Sequence, residues 1–229
     1  MKRIVDNTKL NIYFNKYSIE NLFDKNIIEF AELQTYEKGE LILKADSRLE
    51  NYYILVEGQI KIAYLFENGK SMLLKFYKDF ITIGDMELLR DKPIRCNVEA
   101  VEEVSIIAIP LSIIRSNYIA NVNFLHHLVD SLSEKLDATI NNTSYNYIYP
   151  LPNRLASYLV DHIADKDYIK LTASFKEIAE FLGTTYRHLG RTFKELEEKS
   201  IIKVDKKTVY ILDEIRLKEL SKNSFIRTL

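Results

Sequence analysis

The sequence predicts an α+β protein in three parts: an N-terminal β-roll, one long helix, and a small helical C-terminal domain ending in a β-hairpin. Three observations carry this. Residues 33–109 break into short apolar runs of strand texture separated by turn residues. Residues 111–142 switch to an apolar repeat of coiled-coil period. Residues 174–212 read as two short helices about a glycine turn, followed by a hairpin. The expected domains are residues 1–110 for the roll, 111–149 for the long helix and its hinge, and 150–229 for the C-terminal domain.

Before the roll, Ile12, Ile19, Leu22, Phe23, Ile27 and Ile28 have helical spacing and predict short helices. In the roll, Lys38-Gly39-Glu40 turns the chain into Leu41-Ile42-Leu43. The run from Tyr52 to Val56 is apolar and β-prone, and Glu57-Gly58 turns it. Ile60, Ile62, Tyr64 and Phe66 then alternate with Lys61, Ala63 and Leu65. Glu67-Asn68-Gly69-Lys70 is a hairpin turn, since Asn-Gly supplies the positive φ such turns require. Ser71 to Tyr77 returns as a strand, and Val98 to Ile109 gives the last strands, closed by Pro110. Strands this short, joined by turns and not by helices, predict an antiparallel roll or barrel and not a parallel α/β sheet.

In the long helix, Tyr118, Val122, Leu125, Val129, Leu132, Leu136 and Thr139 follow one another at spacings of 4 and 3. An a/d seam held for three heptads predicts pairing with a second copy of the chain. Phe124 and Leu128 widen the stripe and would let one flank touch the roll. The segment NNTSYNYIYPLPN, from Asn141, then reads as the end of the helix and a hinge, with Pro152 in the first turn of a new helix. That helix carries Leu155, Leu159 and Ile163 on one face and ends near Asp165-Lys166-Asp167.

The C-terminal domain contains SFKEIAEFLGTTYRHLGRTFKEL, Ser174 to Leu196. Ser174 with Glu177 three residues on is a capping box. Ile178, Phe181 and Leu182 share one face, Ala179 permits a close helix crossing, and Gly183 stops the first helix. Thr184 and Thr185 can cap the second helix, whose inner face is Leu189 and Phe193. Its outward face carries Thr185, Tyr186, Arg187, His188 and Arg191, side chains that suit phosphates and base edges in a major groove. Gly190 sits in this helix at a cost of about 1 kcal/mol relative to alanine, which points to a close approach by another helix or a phosphate. Ile201–Val204, a Lys206-Lys207 turn and Thr208–Leu212 form the hairpin, a wing.

Composition narrows the function classes. The chain has 229 residues, 47% hydrophobic and 28% charged, enough for two ordinary domains. No apolar run reaches the roughly 18 residues of a membrane span, and MKRIVDNTKLNIYF lacks a signal core, so a cytoplasmic, non-membrane protein is expected. One cysteine, Cys96, excludes a disulfide framework and fits a reducing compartment. Residues 150–229 hold 15 Lys/Arg against 12 Asp/Glu, net +3, while the rest holds 17 against 21, net −4. The positive charge thus falls where DNA would be read. A cupin-type metal enzyme would need histidines on the roll strands. Residues 33–109 contain none, and His126, His127, His162 and His188 all lie on predicted helices. No cofactor and no metal site is expected, and the chain does not read as an enzyme.

The order of roll, long helix, hinge and winged helix-turn-helix resembles the cyclic-AMP-receptor/FNR (Crp/Fnr) family of bacterial transcription regulators. Four segments carry the resemblance: YYILVEGQIKI, IGDMELLRDKPIRC, NRLASYLVDHI and KEIAEFLGTTYRHLGRTFKELEEKSII. It implies a roll like a cyclic-nucleotide-binding jelly roll and a homodimer that reads a palindromic operator in double-stranded DNA. It also implies a contact with RNA polymerase. By motif position Tyr186, Arg187 and Arg191 would face base edges. Thr184, Thr185 and His188 would face phosphates, as would Lys206 and Lys207 at the wing tip. The family often has an Arg-Glu pair where this chain has Tyr186 and Arg187, so its familiar half-site does not carry over.

In the family's nucleotide binders the effector segment opens Gly-Glu and closes Arg-Ser/Thr. Here it is Gly84-Asp85 and Arg95-Cys96. Arg95 could still hold an anion, or pair with Asp85 instead. The shortened acid and the thiol argue against cyclic AMP and leave a small-molecule effector unidentified. An FNR-type iron–sulfur cluster needs several cysteines and is excluded. A nucleotide-binding regulatory subunit acting on another protein is the alternative, which the helix-turn-helix disfavours.

Overall fold

The computed structural model describes residues 2–4, 7–23, 25–67, 71–90, 92–163 and 167–222, and it divides into two compact units, Met1–Asp137 and Ala138–Leu229. The first unit begins with β1 (Lys2–Ile4), α1 (Asn7–Lys16) and 3₁₀ turns at Ile19–Asn21 and Lys25–Phe30. Strands follow: β2 (Glu32–Tyr36), β3 (Leu41–Leu43), β4 (Asn51–Glu57), β5 (Gln59–Leu65), β6 (Ser71–Lys78) and β7 (Ile81–Ile83). Then come α2 (Asp85–Arg90), β8 (Cys96–Ala100), β9 (Val104–Pro110), α3 (Leu111–Ile113), a π turn (Ile114–Tyr118) and α4 (Val122–Ile148). The strands make two antiparallel sheets, β1-β2-β9-β4-β7 and β3-β8-β5-β6, as expected of a roll. The predicted hairpin turn at Asn68-Gly69-Lys70 lies outside the described residues.

Strand β4 shows why its run is apolar without alternation. Tyr53 and Leu55 join the core shared by the two sheets, with Ile60, Val98, Ile106 and Ala108. Tyr52, Ile54 and Val56 join a second core with α1, α3 and α4, where Phe124 and Leu128 pack on them. A strand buried on both faces has no polar face to display. Phe124 is fully buried and contacts Phe23 and Tyr52, ring centroids 5.1 and 5.7 Å apart, which stabilises this helix-on-sheet packing by roughly 2–3 kcal/mol. Gly58 is required where it stands: φ is +88°, and a Cβ there would lie 2.5 Å from the Glu103 carbonyl oxygen.

Two expectations for α4 are corrected. The Asn/Thr/Ser cluster from Asn141 does not end the helix, which runs on to Ile148 before Pro150. Those residues are weak helix formers but carry no steric block, unlike proline. Tyr118 does not belong to the seam; it is buried in the roll core, in the π turn before α4. The other seam residues divide by exposure. Val122, Val129 and Leu136 are 64%, 60% and 59% exposed, Leu125 and Leu132 are half-buried, and Thr139 is exposed.

In the second unit the last turns of α4 are followed by α5 (Leu151–Asp161), β10 (Tyr168–Lys170), α6 (Phe175–Phe181), α7 (Tyr186–Glu198), β11 (Ile202–Asp205), β12 (Thr208–Ile211) and α8 (Glu214–Lys222). Pro152 lies in the first turn of α5, as expected; Ile163 lies beyond the helix, which stops at Asp161. The wing is a three-stranded antiparallel sheet, β10-β12-β11, with Ile202–Asp205 and Thr208–Ile211 flanking the Lys206-Lys207 turn. Its third strand and α8 have no counterpart in the sequence reading. Leu155, Leu159, Ile178, Leu182, Leu189, Leu196, Val209 and Leu217 are buried in this unit.

Candidate nucleic-acid interface and effector segment

The capping box at Ser174 forms as predicted. The Ser174 hydroxyl accepts the Glu177 N–H, and the Glu177 carboxylate accepts the Ser174 N–H at 2.7 Å. Gly183 takes the left-handed conformation, φ +61°, and ends α6. Thr185 is the cap of α7, its hydroxyl accepting the His188 N–H at 3.2 Å. Thr184 does not cap; its hydroxyl lies 3.3 Å from His188 Nδ1. Leu189, Thr192, Phe193 and Leu196 form the buried side of α7, and Phe193 meets Phe175 edge-on.

The opposite side of α7 presents Tyr186, Arg187, His188 and Arg191, all exposed, with Tyr186 at 64%. A Cβ built on Gly190 meets nothing within 4 Å, so no neighbouring helix explains this glycine. Lys206 (φ +53°) and Lys207 sit exposed at the tip of the separate wing hairpin. That hairpin is joined to α7 where the Val204 N–H donates to the Glu197 carboxylate at 2.8 Å.

The effector segment is arranged differently from its sequence reading. Gly84 precedes α2, and Asp85 is buried, 2% exposed. Its carboxylate accepts from Tyr52 (2.7 Å), Ser131 (2.9 Å) and Lys135. Lys135 also donates to the Thr82 carbonyl at 2.8 Å. The partner of Asp85 is therefore Lys135 of α4, not Arg95, which is exposed. Burial pushes the Asp85 carboxyl up, but the Lys135 charge and the hydroxyl donors outweigh it and hold the group below the usual range. Tyr52 is driven well above its ordinary value by burial and the Asp85 charge, so it stays a donor. Lys135 and Ser131 were missed in the sequence. The available signal was their phase, since Phe124, Leu128, Ser131 and Lys135 follow at spacings of 4, 3 and 4 on the roll-facing side of α4.

Glu87, half-buried in α2, lies in the same segment. Burial raises its carboxyl, the Asp85 charge adds to this, and the backbone N–H groups of Glu87 and Arg95 bind it. Cys96 is half-buried, its thiol pushed up to about 11 by burial and by Glu87 against the opposing charge of Arg95. A thiol so disfavoured as thiolate is a poor redox sensor. The surface depressions around Glu20, His126, His127 and Asp130, and around Ile163, Ile211 and Glu214, include none of Gly84, Asp85, Arg95 and Cys96. Among the described residues no His, Cys, Asp and Glu group is placed to hold a metal ion, and no helix is long and apolar enough to cross a membrane.

Comparison with known proteins decides the family. A model of the cyclic nucleotide-binding domain matches residues 33–118, and one of the Crp-like helix-turn-helix domain matches residues 153–220, in the same chain. The chain belongs to the Crp/Fnr family of transcription regulators. The regulatory protein YeiL of Escherichia coli is 32% identical over 139 residues, 60% of this chain and 61% of that protein. The chain thus spans less than two thirds of YeiL. The cAMP-activated global transcriptional regulator CRP of Pasteurella multocida is 22% identical over 191 residues, 80% of this chain and 91% of that one. Among solved structures, the c-di-GMP responsive global regulator CLP of Xanthomonas campestris has a TM-score of 0.74 at 16% identity, covering 86% of this chain and 98% of CLP. A CRP/FNR-family transcriptional regulator from Thermus thermophilus gives 0.70 at 20%, covering 84% and 100%. At these identities the structural likeness is one of fold. This Crp/Fnr-family chain carries a cyclic-nucleotide-binding-like roll and a DNA-binding helix-turn-helix.

Proposed function

We propose that this Crp/Fnr-family regulator works as a cytoplasmic homodimer that reads a palindromic operator in double-stranded DNA. The reading rests chiefly on one observation: the exposed side of α7 concentrates Tyr186, Arg187, His188 and Arg191, with an open backbone at Gly190. Arg191 and Arg187 are suited to guanine, whose two acceptors match the guanidinium fork, and Tyr186 lies beside them. Thr184, Thr185, His188, Lys206 and Lys207 are suited to phosphates; the Thr185 hydroxyl keeps its proton to donate after capping α7. The exposed Val122, Val129 and Leu136, flanked by Leu125 and Leu132, support pairing of α4 with a second copy.

The roll is assigned to sensing, with an effector other than cyclic AMP. Relatives named as cAMP-activated argue for the nucleotide, but Asp85 is already committed to Lys135, and Glu87 places a carboxylate beside Arg95. The chain acts as a regulator and not as an enzyme, and contact with RNA polymerase follows if it activates. Fluorescence anisotropy on duplex DNA tests the reading. Binding should weaken steeply with salt, and Arg191→Ala should erase sequence preference while phosphate-driven binding remains. A sequence preference that survives Arg191→Ala would overturn the assignment.

A further inference from the structure

We propose that Asn146 and Arg154 are positioning residues for DNA reading: together they clamp the end of α6 to the last turns of α4, so that the direction of α4 sets how α7 is presented. This rests on the two-fold DNA-reading function proposed above.

A helix ending leaves carbonyl oxygens without partners, and these carry the negative end of the helix dipole. At the end of α6 the left-handed Gly183 and the Thr184 N–H, which donates to the Ala179 carbonyl at 2.8 Å, settle part of this. The Phe181 and Leu182 carbonyls are taken by two side chains from outside the motif. Asn146 Nδ2, on α4, donates to the Phe181 carbonyl at 3.0 Å. Arg154, on α5, donates from its guanidinium to the Leu182 carbonyl and at 3.3 Å to Asn146 Oδ1. The clamp is closed, because each side chain holds one carbonyl and the two hold each other. Its fit extends to the turn, where a Cβ on Gly183 would lie 3.4 Å from the Asn146 side chain.

The segment between the two helices is fastened as well. Tyr145 is buried, and its hydroxyl donates to the Asn153 carbonyl at 3.0 Å, across Pro150 and Pro152. The prolines therefore lie inside a fastened joint, and re-aiming of the reader takes place N-terminal to Tyr145. From the clamped carbonyls only Gly183 and Thr184 intervene before Thr185, the cap of α7. A tilt of α4's last turn is delivered to the start of the helix that carries Arg187 and Arg191.

The consequence is specific to spacing. A single recognition helix needs no clamp to meet one half-site, but two helices must meet grooves about 34 Å apart together. The full-length protein should be measured against a palindromic duplex whose half-sites are moved closer or apart by one and two base pairs, and against a single half-site. Wild type should prefer one spacing. Asn146→Ala should keep single half-site affinity within about twofold and lose about tenfold of the spacing preference, since it removes two part-buried hydrogen bonds at once. Arg154→Met, which removes the Nη1 donor that serves both oxygens, should behave in the same direction. Spacing preference unchanged in both variants, or equal losses on single and paired half-sites, would overturn the assignment. A wild-type protein without any spacing preference would instead overturn the two-fold reading on which it stands.

Discussion

Replacing Lys135 by methionine should destabilise the roll by about 2–3 kcal/mol at pH 7, and the pH dependence should reveal why. The Asp85 side chain is 1% exposed and that of Lys135 23%. Stranding a buried charge by removing its partner costs about 3–5 kcal/mol. The lower figure applies here because the ammonium is not fully buried and Tyr52 and Ser131 still donate to the carboxylate. In the native protein Asp85 is held below its ordinary pKa, so its contribution is present above pH ~4 and is lost as pH falls through the depressed value. Without Lys135 burial prevails and the folded pKa rises above the unfolded one. The variant then keeps its stability at low pH and loses it as pH rises through that raised value. Asp85→Asn combined with Lys135→Met strands no charge and should recover part of the loss at pH 7. Urea unfolding followed by tyrosine fluorescence at pH 5 and pH 7 measures this, since the chain has no tryptophan. A loss below about 1 kcal/mol, or an equal loss at both pH values, would refute this role of the Asp85–Lys135 pair.

Other outcomes follow from the same geometry. Gly190→Ala places its Cβ in open space and should stabilise α7 by about 0.5–1 kcal/mol while weakening DNA binding, read by thermal melting and anisotropy together. Leu136→Asp on the exposed seam should turn a dimer into a monomer at micromolar concentration in sedimentation, with the fold retained by circular dichroism. Cyclic AMP at micromolar concentration should leave the melting temperature unchanged, where tight binding would raise it by several degrees. Cys96 should react with a thiol reagent far more slowly at pH 7 than a free thiol does, because burial and Glu87 hold it protonated.

Much of this was legible from local chemistry. Ser174 with Glu177, Gly183 and the Leu189/Phe193 stripe sit where period, cap and turn rules put them. The faces of α4 were legible as well, with Phe124 and Leu128 on the roll and Val122, Val129 and Leu136 exposed. What escaped were partners made by tertiary structure. Nothing near Asp85 in sequence announces Lys135, fifty residues on, whereas Arg95 offers a nearer charge of the right sign. The Asn-rich cluster resembles a break because weak helix formers look like loop residues until packing overrides propensity, as it does at buried Tyr145 and tethered Asn146. Strand β10 and α8 are short and gain their stability from the wing sheet and α5 and not from a pattern of their own.

Selection of bound duplexes from a random DNA pool by the full-length protein tests the central claim most directly. An inverted repeat should be enriched, its half-sites about 10 base pairs apart, centre to centre, with guanines at the positions lost in Arg191→Ala. Enrichment of a single unrepeated site, of direct repeats, or of no sequence at all would contradict it.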